Sequence, residues 1–113
     1  MSFNSSVSLF SGQSSDATGA AVKLMPESKN QARIYHVFLS GNLGDGSFSL
    51  DISFDGGVTY SNYLINGTTE FQQNKLGFSY KIEVETEMYV KGVLADSTSP
   101  NLTAKLFYRE KYT

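Results

Sequence analysis

The segment FSLDISFDGG (residues 48–57) decides the fold of this chain. Apolar and polar residues alternate through residues 48–54, and this period of two predicts a β-strand with one apolar and one polar face. Gly56 and Gly57 supply the positive φ angles that a tight hairpin requires, so residues 58–65 are predicted to return as the partner strand. The apolar face comprises Phe48, Leu50, Ile52 and Phe54, and the polar face Ser49, Asp51 and Ser53.

Short segments of similar character recur along the chain about every ten residues, with turn-forming residues between them. They lie at residues 6–9, 20–25, 32–40, 70–73, 78–85, 88–94 and 102–108. Eight or nine short strands in this arrangement are typical of an all-β, antiparallel β-sandwich, either Ig-like or a jelly roll. No internal linker interrupts the pattern, which predicts one β-sandwich domain over residues 1–113 with residues 1–6 as an extended N-terminal arm.

One segment, ARIYHVFLS (residues 32–40), is a nearly continuous run of β-branched and aromatic residues. Such a run is typical of a strand that is covered on both faces. It contains His36, the only histidine of the chain, on the same strand face as Ile34 and Phe38. Farther along, Gly92 interrupts the strand predicted at residues 88–94, and it indicates a bulge or a close backbone contact.

The composition excludes several classes of function. The net charge is −2, and no run of Lys or Arg provides a positive field, so no nucleic-acid partner is expected. The chain has no cysteine, which excludes disulfides, thiolate metal sites and cysteine nucleophiles. Seven Tyr and eight Phe without a Trp suit a sheet protein, because aromatic side chains pack well on a pleated surface.

The N-terminal sequence MSFNSSVSLFSG has neither a positive leader nor an apolar core segment. We therefore expect no secretion signal. No apolar run approaches the length that is needed to span a bilayer, so no membrane partner is expected either. These features predict a protein that is made in the cytoplasm of its host.

The strand predicted at residues 48–54 and the turn that follows it partly match a calcium-binding loop. Asp51, Ser53, Asp55 and Gly56 occupy positions one, three, five and six of the EF-hand pattern. The match fails at position twelve, which is Asn62 rather than a bidentate glutamate, and no helices flank the segment. Side chains on one face of a straight strand stand about 7 Å apart and do not wrap around one ion. The sequence therefore predicts no metal site and no cofactor.

Catalytic arrangements are similarly incomplete. Nothing in the pattern buries Asp51 or Asp55, so neither carboxyl group is expected to have the raised pKa of a general acid. His36 has no nucleophile elbow of the form GxSxG to accompany it, and a lone histidine on an apolar strand is typical of a core or interface position. No catalytic residue is predicted, and the chain is not expected to be an enzyme.

Charged and aromatic residues on the predicted strand faces leave two binding alternatives open. Glu83, Glu85 and Glu87 form an acidic stripe, which is suited to hydration, to a basic partner or to guarding a sheet edge. A flat platform of exposed tyrosines would instead favour a carbohydrate-binding module. The candidate tyrosines are Tyr60, Tyr63, Tyr80, Tyr89, Tyr108 and Tyr112.

Two motifs suggest a relationship to known proteins. An alternating strand ends in a Ser-x-Asp-Gly hairpin followed by an aromatic residue, SFDGGVTY (residues 53–60), and a later strand reads YVKG (residues 89–92). In these motifs, the segment from residue 32 to residue 108 resembles small β-sandwich accessory proteins of tailed-bacteriophage virions, of the decoration or cement type. The resemblance implies a structural protein of the capsid surface and brings no catalytic residue with it.

The expected function is therefore that of a virion structural protein that decorates or cements a phage capsid. Its expected partners are the major capsid protein and further copies of the chain, with a trimer favoured. The alternatives are a carbohydrate-binding module on a virion fibre and a tail or neck adaptor. The N-terminal arm is expected to contribute to the contact, unless its residues are simply the first strand of the sandwich. The interface residues predicted in this way are Phe3, Val7, Leu9, Phe10 and Tyr112.

Overall fold

A computed structural model of the chain describes residues 3–65, 69–70, 72–73 and 76–110. Within these residues the protein is all β, and its two main antiparallel sheets pack face to face as a β-sandwich, which confirms the predicted fold class. The strands are β1 (Ser5–Gln13), β2 (Ala17–Thr18), β3 (Val22–Leu24), β4 (Arg33–Asn42), β5 (Ser47–Ser53), β6 (Ser61–Asn62), β7 (Leu64–Ile65), β8 (Thr69–Glu70), β9 (Gln72–Gln73), β10 (Gly77–Val84), β11 (Met88–Ala95) and β12 (Asn101–Tyr108).

The long strands form the two layers. One sheet has four strands in the order β1-β12-β4-β10. The other has the long strands β11 and β5 at its centre and the short strands β2, β3, β6 and β9 around them. Strands β7 and β8 form a separate two-stranded hairpin. Every pairing is antiparallel, as the short turn-linked segments predict.

The core lies between the inner faces of the two sheets. The inward positions of each long strand are apolar, so the two faces exclude water from one another. Ser53 is the only polar residue among the fully buried side chains of the described chain. The largest buried apolar side chains are Phe48, Leu24, Leu39, Leu50, Ile82, Leu94, Leu102 and Leu106.

The end of β5 differs from the prediction. Phe48 and Leu50 are buried and Ile52 packs against the core, but Phe54 is 65% exposed and Ser53 is 1% exposed. The alternation stops because β5 ends at Ser53, whose hydroxyl turns inward to accept a hydrogen bond from the backbone N–H of Gly57 at 3.0 Å. A serine is thus buried for its role in the turn, and a phenylalanine is displaced into solvent.

The partner strand predicted over residues 58–65 is largely absent. Ser61 and Asn62 pair with β5, and the N–H of Tyr63 donates to the carbonyl of Leu50 at 2.9 Å. Leu64 and Ile65 pair with β8 instead, and Val58 is 79% exposed. The carboxylate of Asp55 accepts the backbone N–H groups of Val58 and Thr59, at 3.1 and 3.0 Å. Because these two N–H groups bond to Asp55 within the turn, they do not pair with β5, and the chain joins the sheet only at residue 61.

Gly92 makes the close contact that its place in a strand predicts. A Cβ atom added there would lie 2.9 Å from Cε1 of Phe48 and 3.2 Å from Cε2 of Phe10. The pairing of β11 with β5 runs through Gly92 without a register shift, so the position is a close contact and not a bulge. The missing side chain leaves room for two aromatic rings from the two layers.

The N-terminal residues are more ordered than the predicted arm. Ser5 and Ser6 already pair with β12, so the described arm is limited to the residues before them. The side chain of Asn4 donates to the carbonyl of Glu110 at 2.9 Å and accepts from its N–H at 2.8 Å. These two bonds hold the start of β1 against the end of β12.

Candidate functional site

The outer side of the four-stranded sheet carries an exposed cluster of aromatic and apolar residues, which we call the aromatic face. Its members are Phe3, Ile34, His36, Phe38, Phe78 and Phe107. The aromatic face arises because β4 is apolar on both sides and only one side is covered. Its inward side chains, Tyr35 and Val37, are buried, whereas its outward side chains are not. The expectation that residues 32–40 are covered on both faces is therefore wrong for the outer face.

Strand register explains how residues distant in sequence meet on this face. In the β10–β4 and β12–β4 pairings, His36 lies opposite Phe107 and Phe38 lies opposite Phe78. Residues directly opposite one another in an antiparallel pair have side chains on the same side of the sheet. Phe3, which precedes β1, adds its ring to this group, with its centroid 4.8 Å from that of His36.

The rings pack against one another and still leave apolar surface open. The centroid of Phe78 lies 4.6 Å from that of Phe38 and 5.8 Å from that of Phe107, distances at which tilted aromatic pairs attract. Despite these contacts Phe78 is 55% exposed, and Ile34 is 43% exposed. A preformed apolar cluster that stays open to water is suited to a protein contact, since its side chains need little reordering on binding.

Two lysines flank the aromatic face. Lys81 lies opposite His36 on β10, and Lys105 lies opposite Phe38 on β12. Burial lowers the pKa of His36 below its ordinary value of 6.5, and the charge of Lys81 adds to this effect. The imidazole is therefore neutral at neutral pH and belongs to the apolar surface rather than to its charged rim.

A depression of about 380 Å³ adjoins the aromatic face beside Phe3. Its basic side is formed by Arg33, Lys81 and Arg109. The guanidinium of Arg33 is paired with the carboxylate of Glu27 at 3.4 Å, and it lies 5.0 Å from the centre of the Tyr108 ring. The charge of Arg33 is thus paired within the fold, and the depression continues the surface of the aromatic face.

The Asp55 turn is a structural element. The side chain of Asp55 accepts hydrogen bonds from the hydroxyls of Ser53 and Thr59, at 2.7 and 2.5 Å, in addition to the backbone donors described above. Gly56 and Gly57 have φ angles of 77° and 88°, as the predicted hairpin glycines require. The carboxylate is thus committed to closing the turn. Asp51 lies two residues before the end of β5, opposite Lys91.

Asp55→Asn is expected to destabilise the protein in a pH-dependent way. The hydroxyl of Thr59, with further donors in the turn, lowers the pKa of Asp55 well below its ordinary value of 3.8. A carboxyl group whose pKa is lowered on folding stabilises the protein above its unfolded pKa, and this contribution is lost as the pH falls through the folded pKa. Urea denaturation should therefore show a variant that is less stable at neutral pH, with a difference that shrinks in acid.

Asp51→Asn is the control, because it also removes one negative charge, but from a position within β5 that leaves the turn intact. It should retain the acid-dependent loss of stability that Asp55 produces. A stability difference between Asp55→Asn and the wild-type protein that stays constant from neutral pH into acid would contradict this role for the carboxylate.

The tyrosines that would serve a sugar-binding platform differ in their surroundings within the described part of the chain, and Tyr60 and Tyr89 are half-buried without packing against the core. Tyr35 is buried, and Tyr63 and Tyr108 pack against the core. Tyr60 has the ammonium group of Lys91 over its ring at 4.2 Å from the centroid. The side chain of Tyr80 and all of Tyr112 lie outside the described residues.

The interface residues predicted from the sequence fall in different places. Phe3 belongs to the aromatic face. Leu9 and Phe10 are buried at 7% and 4% exposure and Val7 packs against the core, which favours the alternative that these residues are the first strand of the sandwich. Tyr112 lies outside the described residues, so its predicted role stays a prediction.

Most of the aromatic face is not apparent from the sequence. The strand pattern places Ile34, His36 and Phe38 on one side of a strand, but it predicts that this side is covered. It gives no link from them to Phe78 and Phe107, because only the order of strands β12, β4 and β10 brings these residues together. The available signal is that β4 is apolar on both sides while its neighbouring strands are mixed on one side.

Metal binding finds no support in the described residues, where no group of three or more His, Cys, Asp or Glu side chains is placed to hold an ion. Across the same part of the chain, no helix has the length and apolar character needed to cross a membrane. No protein-family model, curated protein or solved structure matches the chain.

Proposed function

We propose that this protein is a structural accessory protein of a phage virion, which decorates or cements the capsid by docking its aromatic face across capsid subunits. The observation that carries the proposal is that β4 is apolar on both faces while the fold covers only one of them. The sequence motifs at residues 53–60 and 89–92, which resemble those of small virion sandwich proteins, indicate the kind of partner.

The physical basis is burial of apolar surface. Moving a phenylalanine side chain from water into an interface contributes about 1.5–3 kcal/mol when it becomes fully buried. Phe78 and Ile34 still expose about half of their surface, so a large part of this contribution is unused in the free protein. Phe38 and Phe107 surround Phe78 and would hold its ring in place during docking.

A modest contact is sufficient for this role. Many copies act together on one capsid. When an accessory protein contacts several sites, its second contact forms intramolecularly, so its overall affinity exceeds that of a single contact. The proposed partners are accordingly the major capsid protein and further copies of the chain in a small oligomer. The protein would be made in the host cytoplasm and would act on the capsid surface, with no catalytic step and no cofactor.

The proposal is tested by mixing the purified protein with capsids of the virus that encodes it, prepared without the protein. It should sediment with assembled capsids, should not bind unassembled capsid subunits to the same extent, and should raise the temperature at which the capsids rupture. Binding that is restricted to purified tails or necks would support the adaptor alternative. Binding to glycans without binding to any virion part would contradict the proposal.

A further inference from the structure

Strand β10 is an unusually open edge of the sandwich. The four-stranded sheet ends in β1 and β10, and the described residues place no strand on the outer side of β10. The opposite edge, β1, is interrupted by two register shifts, between Ser8 and Phe10 and between Phe10 and Gln13. The edges of the other sheet consist of segments of two or three residues. Strand β10 has one register shift of its own, between Phe78 and Tyr80, and is regular from Tyr80 onward. Short and bulged edges resist pairing with other chains, whereas a regular stretch at an open edge invites it.

The regular part of β10 is also self-complementary in charge. From Tyr80 to Val84 the strand pairs with β4 without interruption. Within this part, Lys81 and Glu83 both face outward and are exposed, with the buried side chain of Ile82 between them. Among the described residues, neither Lys81 nor Glu83 makes an ion pair within the chain.

We propose that two copies of the chain pair antiparallel through their β10 edges, with Ile82 opposite Ile82 of the second copy on a two-fold axis. In this register Lys81 of each copy lies opposite Glu83 of the other, because the residue numbers of opposed positions have a constant sum. Opposed side chains on one sheet face have Cβ atoms about 4.5–5.5 Å apart, within reach of a Lys–Glu ion pair. The symmetry forms this contact twice.

The pairing joins the two four-stranded sheets into one continuous sheet. Opposed residues of an antiparallel pair point to the same side, so both aromatic faces lie on one side of the dimer. The dimer therefore presents two docking faces to a single surface. Two-fold edge pairing produces a dimer in place of the trimer that the sequence favoured. The inference concerns the chain's contact with itself, and it does not require that the partner of the aromatic face be a capsid.

Charge reversal tests the register directly. Lys81→Glu places glutamates against glutamates at both ion-pair positions, and Glu83→Lys places lysines against lysines. Each variant should raise the dissociation constant of the dimer, measured by sedimentation equilibrium, by at least about tenfold. The double variant K81E/E83K exchanges the two charges and should restore the dimer. Lys29→Glu, a reversal at an exposed position outside the sheets, is the matched control and should leave the constant unchanged.

Mixing provides an independent test. An equimolar mixture of the Lys81→Glu and Glu83→Lys variants should form heterodimers, because one chain then carries two acidic and the other two basic residues at the paired positions. Circular dichroism of each variant establishes that it is folded. If one single variant does not fold, the double variant and the salt dependence of the wild-type dimer test the proposal instead, since ion pairs are screened as the salt concentration rises.

The proposal is overturned if the wild-type protein is monomeric or trimeric at all concentrations. It is also overturned if both single reversals dimerise as well as the wild type, or if neither the double variant nor the mixture restores the dimer. A dissociation constant that does not rise with ionic strength contradicts the ion pairs as well. These outcomes are independent of capsid binding, which the experiments do not measure.

Discussion

Phe48→Ala is expected to lower the free energy of unfolding by about 3–5 kcal/mol, the range for deleting a fully buried phenylalanine. Phe48 has no exposed surface, and its ring lies at 78° to that of Phe10 with the centroids 6.1 Å apart. It also fills the space above Gly92. The cavity would thus open between the two sheets, where the rigid strands on both sides limit collapse. Urea denaturation followed by circular dichroism measures the loss.

The matched comparison is Phe78→Ala, which removes the same side chain from the outer aromatic face. Phe78 is 55% exposed, so its loss is expected to cost no more than about 1 kcal/mol. A typical domain has only about 5–15 kcal/mol of stability, and the two variants should therefore be clearly distinguishable. Equal losses in the two variants would contradict the placement of Phe48 in the core and of Phe78 on the surface.

The second large effect is expected in binding. Combining Phe38→Ala with Phe78→Ala removes two neighbouring rings whose centroids are 4.6 Å apart at the middle of the aromatic face. Truncating central aromatic residues of an interface costs about 2–4 kcal/mol or more, equivalent to a loss of affinity of at least about thirtyfold. The measurement is a titration of the protein against empty capsids, with binding followed by co-sedimentation.

Phe54→Ala is the control for this prediction. Phe54 is 65% exposed, but it lies in the turn after β5, on the other sheet. Its removal should leave capsid affinity unchanged, because an exposed phenylalanine outside the contact loses nothing on docking. Unchanged affinity in the Phe38 and Phe78 double variant, or a loss of affinity in Phe54→Ala, would place the contact elsewhere.

Several of the long strands were predictable because period-two alternation is a local signal. Residues 102–108 alternate through apolar Leu102, Ala104 and Leu106, and all three are buried in β12. The close contact at Gly92 was also predictable as one of two outcomes, because a glycine inside a strand often marks a bulge or a close backbone approach. These features depend on a few residues of neighbouring sequence, and a single chain contains that information.

The aromatic face depends on the order of the strands, and the Asp55 turn depends on side-chain hydrogen bonds. Phe3, Phe78 and Phe107 meet only because the strand order places β12, β4 and β10 side by side, which local patterns do not specify. In the turn, the hydrogen bonds of Ser53 and Asp55 outweigh the apolar character of Phe54 and Val58. Polar side chains that satisfy backbone donors can therefore end a strand where hydrophobicity alone would extend it.

Hydroxyl-radical footprinting of the protein, free and bound to capsids, would show whether the aromatic face is the docking surface. Radicals oxidise exposed aromatic rings, so each phenylalanine reports its own accessibility. We expect oxidation of Phe78 and of its neighbours Phe38 and Phe107 to fall on binding, while Phe54 on the other sheet remains as reactive as before. Protection of Phe54 with unchanged oxidation of Phe78 would contradict docking through the aromatic face.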